Sequence, residues 1–166
     1  MNFWNYSRQT KNIYRLPHHK GRELQPAVAP SHTGRMQNAI DFRLEIGTPV
    51  FTALDGIVEE TIDLFEDNGR LDRRLYCKAN YVIIRHPWNE YSVYAHLKKG
   101  SIAVKLGQQV RQNQLIGLVG LSGFTSYPHL HFEVYTRTAR YDDPTLLLRF
   151  KFRNSIFTLR SDNSHI

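Results

Sequence analysis

The chain has 166 residues, a length that fits one compact domain with a core of its own. Hydrophobic residues make up 41% of it and aromatic residues 12%, which excludes a chain that is disordered throughout. A formal net charge of +7 favours anionic partners such as nucleic acid, acidic membrane surfaces or wall polymers, although a basic balance also serves solubility alone.

The single cysteine, Cys77, excludes an internal disulfide and a cysteine-rich metal site. Any metal would therefore be held by nitrogen and oxygen ligands. No stretch approaches the ~20 apolar residues of a membrane-spanning helix. Residues 1–20 lack an apolar run as long as the central region of a signal peptide. A cytoplasmic protein, a targeting segment outside this sequence and another export route all stay open at this point.

The first predicted strand lies behind a polar lead-in. Residues 1–30 contain three prolines and little periodicity, which predicts an extended segment over the domain. Within residues 38–44, the apolar residues Ile40 and Phe42 alternate with polar neighbours. The alternation predicts a half-buried strand that presents Asp41 on its open face.

The middle of the chain alternates between β runs and turn signals. Strands are predicted at 57–60, 81–85 and 91–97. Asp55-Gly56 predicts a hairpin turn, and the charged segment 62–76 predicts an exposed loop. In the strand 91–97, Tyr94 and His96 are expected to share one face. Five glycines between positions 100 and 123 are typical of tight turns between short strands.

The strand that organises the chain has the sequence PHLHFEV, residues 128–134. Side chains alternate in an extended strand, so His129 and His131 are expected on one exposed face, with Leu130 and Phe132 in the core. One imidazole could bind a metal while the other acts as a base. Equally, the two histidines could be ordinary polar residues on the solvent-exposed face of an amphipathic strand.

The remaining sequence completes an all-β pattern. Residues 146–157 have further β character, and no long segment with the 3.6-residue period of a helix is found. The chain is therefore predicted to be a mainly β, antiparallel protein with few or no helices. Its predicted organisation is a lead-in at 1–30, one domain at 31–157 and a tail at 158–166.

Polar side chains on separate predicted strands could form one site. These are His32, Asp41, His96 and the pair His129 and His131. A catalytic zinc site uses three protein ligands and one open position, and two histidines with one carboxylate are a known set for hydrolysis. If His32, Asp41 and His131 hold the metal, the other two histidines remain free. One could then accept a proton from water, and the other could stabilise an oxyanion.

Five segments resemble the lysostaphin-type, or LytM-like, zinc metallopeptidases over residues 16–135. They are SHTGRMQNAIDF, GTPVFTALDGIV, YVIIRHPWNEYSVYAHL, GQQVRQNQLIGLVGLSG and YPHLHFEV. The resemblance implies a compact β-sheet domain with one zinc ion in a groove. It also implies a peptidoglycan endopeptidase that cuts stem peptides or cross-links in the periplasm or cell envelope.

The resemblance assigns roles to the same five side chains. His32, Asp41 and His131 match the zinc ligands of the family, and His96 and His129 match its two catalytic histidines. The resemblance thus implies a single zinc ion as cofactor and peptidoglycan as substrate.

The chain departs from the family pattern in two places. Eight residues separate His32 from Asp41, whereas three are common in the family. His18 and His19 are therefore alternative ligands in place of His32. Tyr127 stands where a glycine is commoner, next to the histidine strand, where it could shape the groove.

Other functions have weaker support. A catalytically silent LytM-like module that binds the cell wall or activates an amidase typically lacks one or more ligands, whereas this chain keeps all five positions. Residues 107–120 are similar to hairpins of biotinyl or lipoyl carriers, but no lysine with the flanking signature of a carrier is present. Nucleic-acid binding rests on charge alone and is not expected. His86 is expected to be structural or solvated.

Basic residues follow the histidine strand as a predicted basic flank, namely Arg137, Arg140, Arg149, Lys151 and Arg153. Such a flank would attract an anionic wall polymer, because exposed cations concentrate a protein on an anionic surface. Alternatively, these residues serve only solubility. The chain is expected to be a monomer without a membrane span.

Overall fold

The computed structural model describes residues 9–19, 26–27, 32–137, 145–152 and 155–159. Strands make up most of the regular structure in these ranges: β1 (Pro26–Ala27), β2 (Ile40–Arg43), β3 (Pro49–Phe51), β4 (Gly56–Ile62), β5 (Tyr81–His86), β6 (Glu90–Ala95), β7 (Gln109–Val110), β8 (Leu115–Leu118), β9 (His129–Thr136), β10 (Leu148–Phe152) and β11 (Ser155–Leu159). Single 3-10 turns occur at Gly34–Met36, Arg73–Leu75 and Pro87–Asn89.

One antiparallel sheet dominates the structure. Its seven strands lie in the order β1-β2-β9-β6-β5-β4-β7, while β3 pairs with β8 and β10 pairs with β11 in two small sheets. The prediction of a mainly β, antiparallel protein is confirmed. No helix within the described ranges is long and apolar enough to cross a membrane.

Strand β9 lies near the centre of this sheet and determines what its two faces carry. Leu130 and Phe132 are fully buried, as the alternation predicts. The Phe132 ring packs edge-on to Tyr94 of β6, with ring centroids 5.1 Å apart, and contacts Phe150 of β10 at 6.0 Å. The inward face of β9 thus joins the large sheet to the β10–β11 hairpin.

Residues 9–19 of the predicted lead-in are also part of the core. Tyr14 is fully buried and its ring contacts Phe132. The Tyr14 amide donates to the Arg149 carbonyl at 2.9 Å, and the Lys151 amide donates to the Tyr14 carbonyl at 2.8 Å. The N-terminal segment therefore lies alongside β10 and completes the layer over the sheet.

A buried carboxylate anchors this segment. Glu90 is 1% exposed and accepts hydrogen bonds from the Tyr14 hydroxyl at 2.9 Å and the Asn12 side chain at 2.8 Å. The backbone amides of Lys11 and Asn12 donate to the same carboxylate. Because a buried carboxylate must be satisfied by donors, Glu90 ties residues 11–14 to the start of β6.

The predicted hairpin at Asp55-Gly56 is wrong. The strands on either side, β3 and β4, belong to different sheets, so the turn is a crossover. Gly56 is required by close packing instead, since an added Cβ would lie 2.4 Å from the Arg85 carbonyl oxygen. Strands β5 and β6 do form a hairpin, in which His86 lies opposite Glu90.

His86 is a structural histidine, buried against the N-terminal segment. Its Nδ1 lies 2.8 Å from the Asp55 carbonyl oxygen, and its Nε2 lies 2.7 Å from the Ser92 hydroxyl. Since a carbonyl can only accept, Nδ1 carries the proton and Nε2 accepts from Ser92. Burial lowers the pKa of His86 below its ordinary value of 6.5.

Acidification should therefore destabilise the fold through His86. Below about pH 6.5 the unfolded chain binds a proton at this residue that the folded chain does not, so the free energy of unfolding falls as pH falls. One such group contributes at most about 1.4 kcal/mol per pH unit. His86→Gln keeps a donor and an acceptor and should flatten the pH dependence measured by urea denaturation. The same slope in both proteins would contradict this.

Candidate metal centre

Three side chains bring their ligand atoms together on the outer face of the large sheet. His32, Asp41 and His131 each offer one ligand atom, and the three atoms lie within 4.8 Å of one another. Asp41 Oδ1 is 3.0 Å from His131 Nδ1 and 3.3 Å from His32 Nε2. Ligands about 2.0–2.2 Å from a tetrahedral ion are about 3.3–3.6 Å apart, so separations of this size are compatible with one shared metal ion.

Sheet register places two of the three ligands. Asp41 on β2 lies directly opposite His131 on β9, and directly opposite residues in an antiparallel pair share a face. His32 approaches from the loop before β2, where its Nδ1 donates to the Ala39 carbonyl at 3.0 Å. This bond leaves His32 Nε2 for the metal.

A second layer of contacts orients the ligands. His131 offers Nδ1 to the centre, while its Nε2 lies 3.6 Å from Glu133 Oε2. Glu133 in turn lies 3.1 Å from the guanidinium of Arg35. A carboxylate behind a metal-binding histidine fixes its tautomer and ring orientation. Glu133 and Arg35 were not predicted, although Glu133 is two residues after His131 and the same alternation places it on this face.

Two further imidazoles lie beside the ligands. His129 Nδ1 donates to the Tyr127 carbonyl at 2.9 Å, and His96 Nδ1 donates to the Ser122 carbonyl at 2.7 Å. Both rings therefore keep an unprotonated Nε2. His129 Nε2 is 3.5 Å from Asp41 Oδ1, and the centroids of the His96 and His129 rings are 4.6 Å apart.

The surroundings shift the pKa values of three of these histidines, two downward and one upward. Burial lowers the pKa of His96 to about 3 and also lowers that of His129. Burial opposes charge on His131 as well, but its hydrogen bonds to Asp41 and Glu133 outweigh this effect and raise its pKa to about 9. Burial would raise the pKa of Asp41, yet hydrogen bonds from the histidines hold it well below its usual range. A bound cation would take the place of the His131 proton.

Comparison with known proteins identifies the family. The family model of peptidase family M23 matches residues 35–144, which is most of the chain. The chain belongs to peptidase family M23. The resemblance to lysostaphin-type and LytM-like peptidases predicted from the sequence is thereby confirmed.

The relatives of this M23 chain include a peptidoglycan endopeptidase and a cell division protein. It is 41% identical over 119 residues to the peptidoglycan DD-endopeptidase ShyA of Vibrio cholerae. This match covers 70% of this chain and 23% of that protein. It is 33% identical over 121 residues to the cell division protein DipM of Caulobacter vibrioides, covering 70% and 18% respectively. The chain thus spans about a fifth of the length of these relatives.

Solved structures agree on the fold. A Pseudomonas aeruginosa protein assigned to peptidase M23 superposes with a TM-score of 0.56 at 26% identity, covering 85% of this chain and 51% of that one. Lysostaphin from Staphylococcus simulans superposes with a TM-score of 0.51 at 24% identity, covering 68% and 45%. The predicted lysostaphin-type fold is confirmed.

The M23 centre is more enclosed than the sequence suggests. Exposed faces were predicted for Asp41 and for the pair His129 and His131, but these residues are only 2%, 5% and 9% exposed. The imidazoles cover one another, with the His131 ring centroid 5.2 Å from that of His32 and 6.1 Å from that of His96. Strand alternation gives a side chain its face and does not indicate what packs over it.

The prediction that Tyr94 and His96 share a face is wrong. Tyr94 lies in the core, where its hydroxyl accepts from the Ala53 amide at 2.8 Å. Strand β6 ends at Ala95, and His96 has a φ of +62°. This left-handed backbone turns the imidazole to the side of the M23 centre. A non-glycine residue at positive φ is uncommon and is found preferentially at functional sites.

Of the three predicted candidates for the first ligand, the structure brings His32 to Asp41. The His18 ring packs against Phe42, with centroids 5.0 Å apart, on the core side of β2. Phe42 and Asp41 are consecutive residues of one strand, so they point to opposite faces. The His19 ring stacks on Phe51 at 4.1 Å. Neither alternative joins the M23 centre.

A fully buried asparagine that sequence reasoning missed supports His96. The backbone amide of Asn80 donates to the Ser122 hydroxyl at 3.0 Å, and that hydroxyl donates to the Leu97 carbonyl at 2.9 Å. The Asn80 side chain donates to the same carbonyl at 3.2 Å. These bonds hold the Ser122 carbonyl where His96 Nδ1 meets it. No motif indicates this role, since the partners are distant in sequence.

Proposed function

We propose that this M23 domain is a zinc-dependent endopeptidase that hydrolyses peptide bonds in peptidoglycan stem peptides or cross-links. The observation that carries the proposal is the meeting of a ligand set, His32, Asp41 and His131, with two uncharged imidazoles, His96 and His129. The name of ShyA supports peptidoglycan as substrate and favours bonds between D-amino acids.

The ligand set suits zinc because two imidazole nitrogens and one carboxylate oxygen leave an open position in a tetrahedral site. In this proposal the ligand atoms are His32 Nε2, Asp41 Oδ1 and His131 Nδ1. A zinc ion supplies Lewis-acid chemistry, since it polarises a substrate carbonyl and lowers the pKa of water toward neutrality.

The two remaining histidines handle protons. His129 takes the proton of the attacking water at Nε2, its free ring nitrogen, and then delivers it to the leaving amine nitrogen. His96 also offers an unprotonated Nε2, so it accepts a second hydrogen bond from the water and orients it. The sequence also predicted that one of the two histidines stabilises an oxyanion. That role needs a hydrogen-bond donor, so a histidine can fill it only after its Nε2 is protonated.

A catalytically silent module is less well supported. Silence would follow from a missing ligand or base, whereas the four imidazoles and the Asp41 carboxylate all lie close together here. Because peptidoglycan lies outside the cytoplasmic membrane, the proposal places the working protein in the periplasm or cell envelope.

The basic flank remains a prediction for the contact with wall polymer. Arg140 and Arg153 lie outside the described residues. The Arg137 guanidinium lies 5.2 Å from the centre of the Tyr91 ring. The Arg149 guanidinium donates to the Lys11 carbonyl, so it also serves the N-terminal segment.

Digestion of defined muropeptides tests the proposed function. Zinc-loaded protein should convert a dimer with a D-alanyl–diaminopimelate cross-link into monomers, with the mass of one water added. Chelation should stop the reaction and zinc should restore it. Mass spectrometry follows the products, with a glycine-bridged dimer in parallel. Intact dimers together with binding to isolated sacculi would instead indicate a silent wall-binding module.

A further inference from the structure

An arginine lies at the edge of the metal centre on the same face of the sheet. Arg43 is two residues after Asp41 on β2 and lies directly opposite His129 on β9. Its guanidinium carbon is 4.6 Å from the centre of the Tyr127 ring, and that ring is 5.0 Å from the ring of His129. A cation is therefore held beside the proposed base on an aromatic surface.

The charge of Arg43 is available to a ligand. Arg43 is exposed, and no carboxylate of the described residues lies within ion-pair distance of it. Two other exposed arginines are paired with carboxylates by contrast, Arg35 with Glu133 and Arg85 with Glu59. Stacking on Tyr127 limits the freedom of the Arg43 side chain, so less entropy is lost when it binds a partner.

We propose that Arg43 binds a carboxylate of the substrate next to the scissile bond and so determines cross-link specificity. The inference rests on the proposed endopeptidase function. In a D-alanyl–diaminopimelate cross-link, the carbon bonded to the scissile nitrogen carries a free carboxylate. A glycine bridge has no carboxylate at that place. The planar guanidinium matches a carboxylate with two parallel hydrogen bonds.

Tyr127 is a positioning residue in this arrangement. Its ring holds the guanidinium, and its backbone carbonyl accepts from His129. Tyr127→Phe keeps an aromatic face and the carbonyl, so carboxylate preference should remain. Tyr127→Ala removes the aromatic ring but keeps the backbone carbonyl, so the preference for the carboxylate should decrease.

A binding measurement tests the contact between Arg43 and the carboxylate separately from catalysis. The probe is a cross-linked muropeptide dimer with the free carboxylate, compared with the same dimer amidated at that carboxylate. Calorimetry on zinc-loaded His129→Ala protein should give a roughly tenfold lower Kd for the free carboxylate, the size expected for an exposed charge-assisted contact. Adding Arg43→Gln should bring the ratio to about one.

A matched control and a second readout complete the test. Arg85→Gln changes an exposed arginine on β5 and should keep the tenfold preference. With the catalytic histidines intact, the ratio of kcat/KM for the two dimers should fall in Arg43→Gln, and Arg43→Lys should give an intermediate ratio. A preference that survives Arg43→Gln, or no preference in the parent protein, would overturn the assignment.

Failure of this inference differs from failure of the proposed function. Cleavage of both dimers with equal Kd values would contradict the role of Arg43 and leave the endopeptidase in place. A carboxylate preference that depends on Arg43, without cleavage, would support the binding site and contradict the enzyme.

Discussion

Replacing His131 by alanine is expected to remove zinc from the protein. The residue is in the middle of the organising strand and supplies Nδ1 to the centre, with Glu133 behind its other nitrogen. Without it, only His32 and Asp41 remain of the ligand set. Loss of a supporting partner alone typically lowers metal affinity 10–100-fold, and loss of a ligand should exceed that range. Metal analysis after dialysis should show about one zinc per chain in the parent and almost none in the variant.

Histidines outside the centre provide the control for this result. His19→Ala removes an exposed ring stacked on Phe51 and should leave zinc content unchanged. His32→Ala should lose zinc as His131→Ala does. Equal zinc in the parent and His131→Ala would refute the ligand set. Zinc retained by His32→Ala and lost from His19→Ala or His18→Ala would move the first ligand to the N-terminal segment.

Replacing His129 by alanine should abolish most turnover without removing the metal. A positioned general base typically contributes a factor of about 10²–10⁴ to the rate, so kcat on a cross-linked muropeptide should fall by that order. Zinc content and thermal stability should stay close to those of the parent, because His129 is not in the ligand set. Product formation measured by mass spectrometry, with metal analysis on the same samples, checks both statements.

The companion variant at His96 needs a different substitution. Since His96 has a φ of +62°, alanine would add backbone strain, whereas asparagine tolerates this conformation. His96→Asn should therefore keep the fold and the zinc while losing turnover. Near-parental hydrolysis by His129→Ala would show that His129 is not the base. Near-parental hydrolysis by His96→Asn would show that His96 has a structural role only.

Strand alternation accounts for much of what the sequence predicts correctly. It places Leu130 and Phe132 in the core and brings His129 and His131 to one face, because successive side chains of a strand point to opposite sides. The family resemblance adds which loop residue joins them: His32 lies at the centre although its spacing from Asp41 is unusual. Local pattern and motif together are sufficient to predict that these side chains meet; their role as metal ligands stays a prediction.

What the sequence does not predict depends on contacts between distant segments. The direction of the His96 side chain follows from its own left-handed backbone just after β6, which strand alternation cannot predict. Asn80 meets Ser122 from another loop, and neither side chain has a motif around it. The enclosure of Asp41 depends on which rings fold over it. Each of these features arises from tertiary packing, which local propensity does not encode.

Pairing between the two ends of the described chain has a kinetic consequence. The Arg149 amide donates to the Thr10 hydroxyl, 139 positions away in sequence, and the backbone of Tyr14 pairs with Arg149 and Lys151. Contacts this distant form only after a large loop-closure entropy has been paid, which slows folding. The aromatic layer over Phe132 therefore closes late, after residue 150 has left the ribosome. Until then the inner face of the sheet stays exposed to solvent and to other unfolded chains.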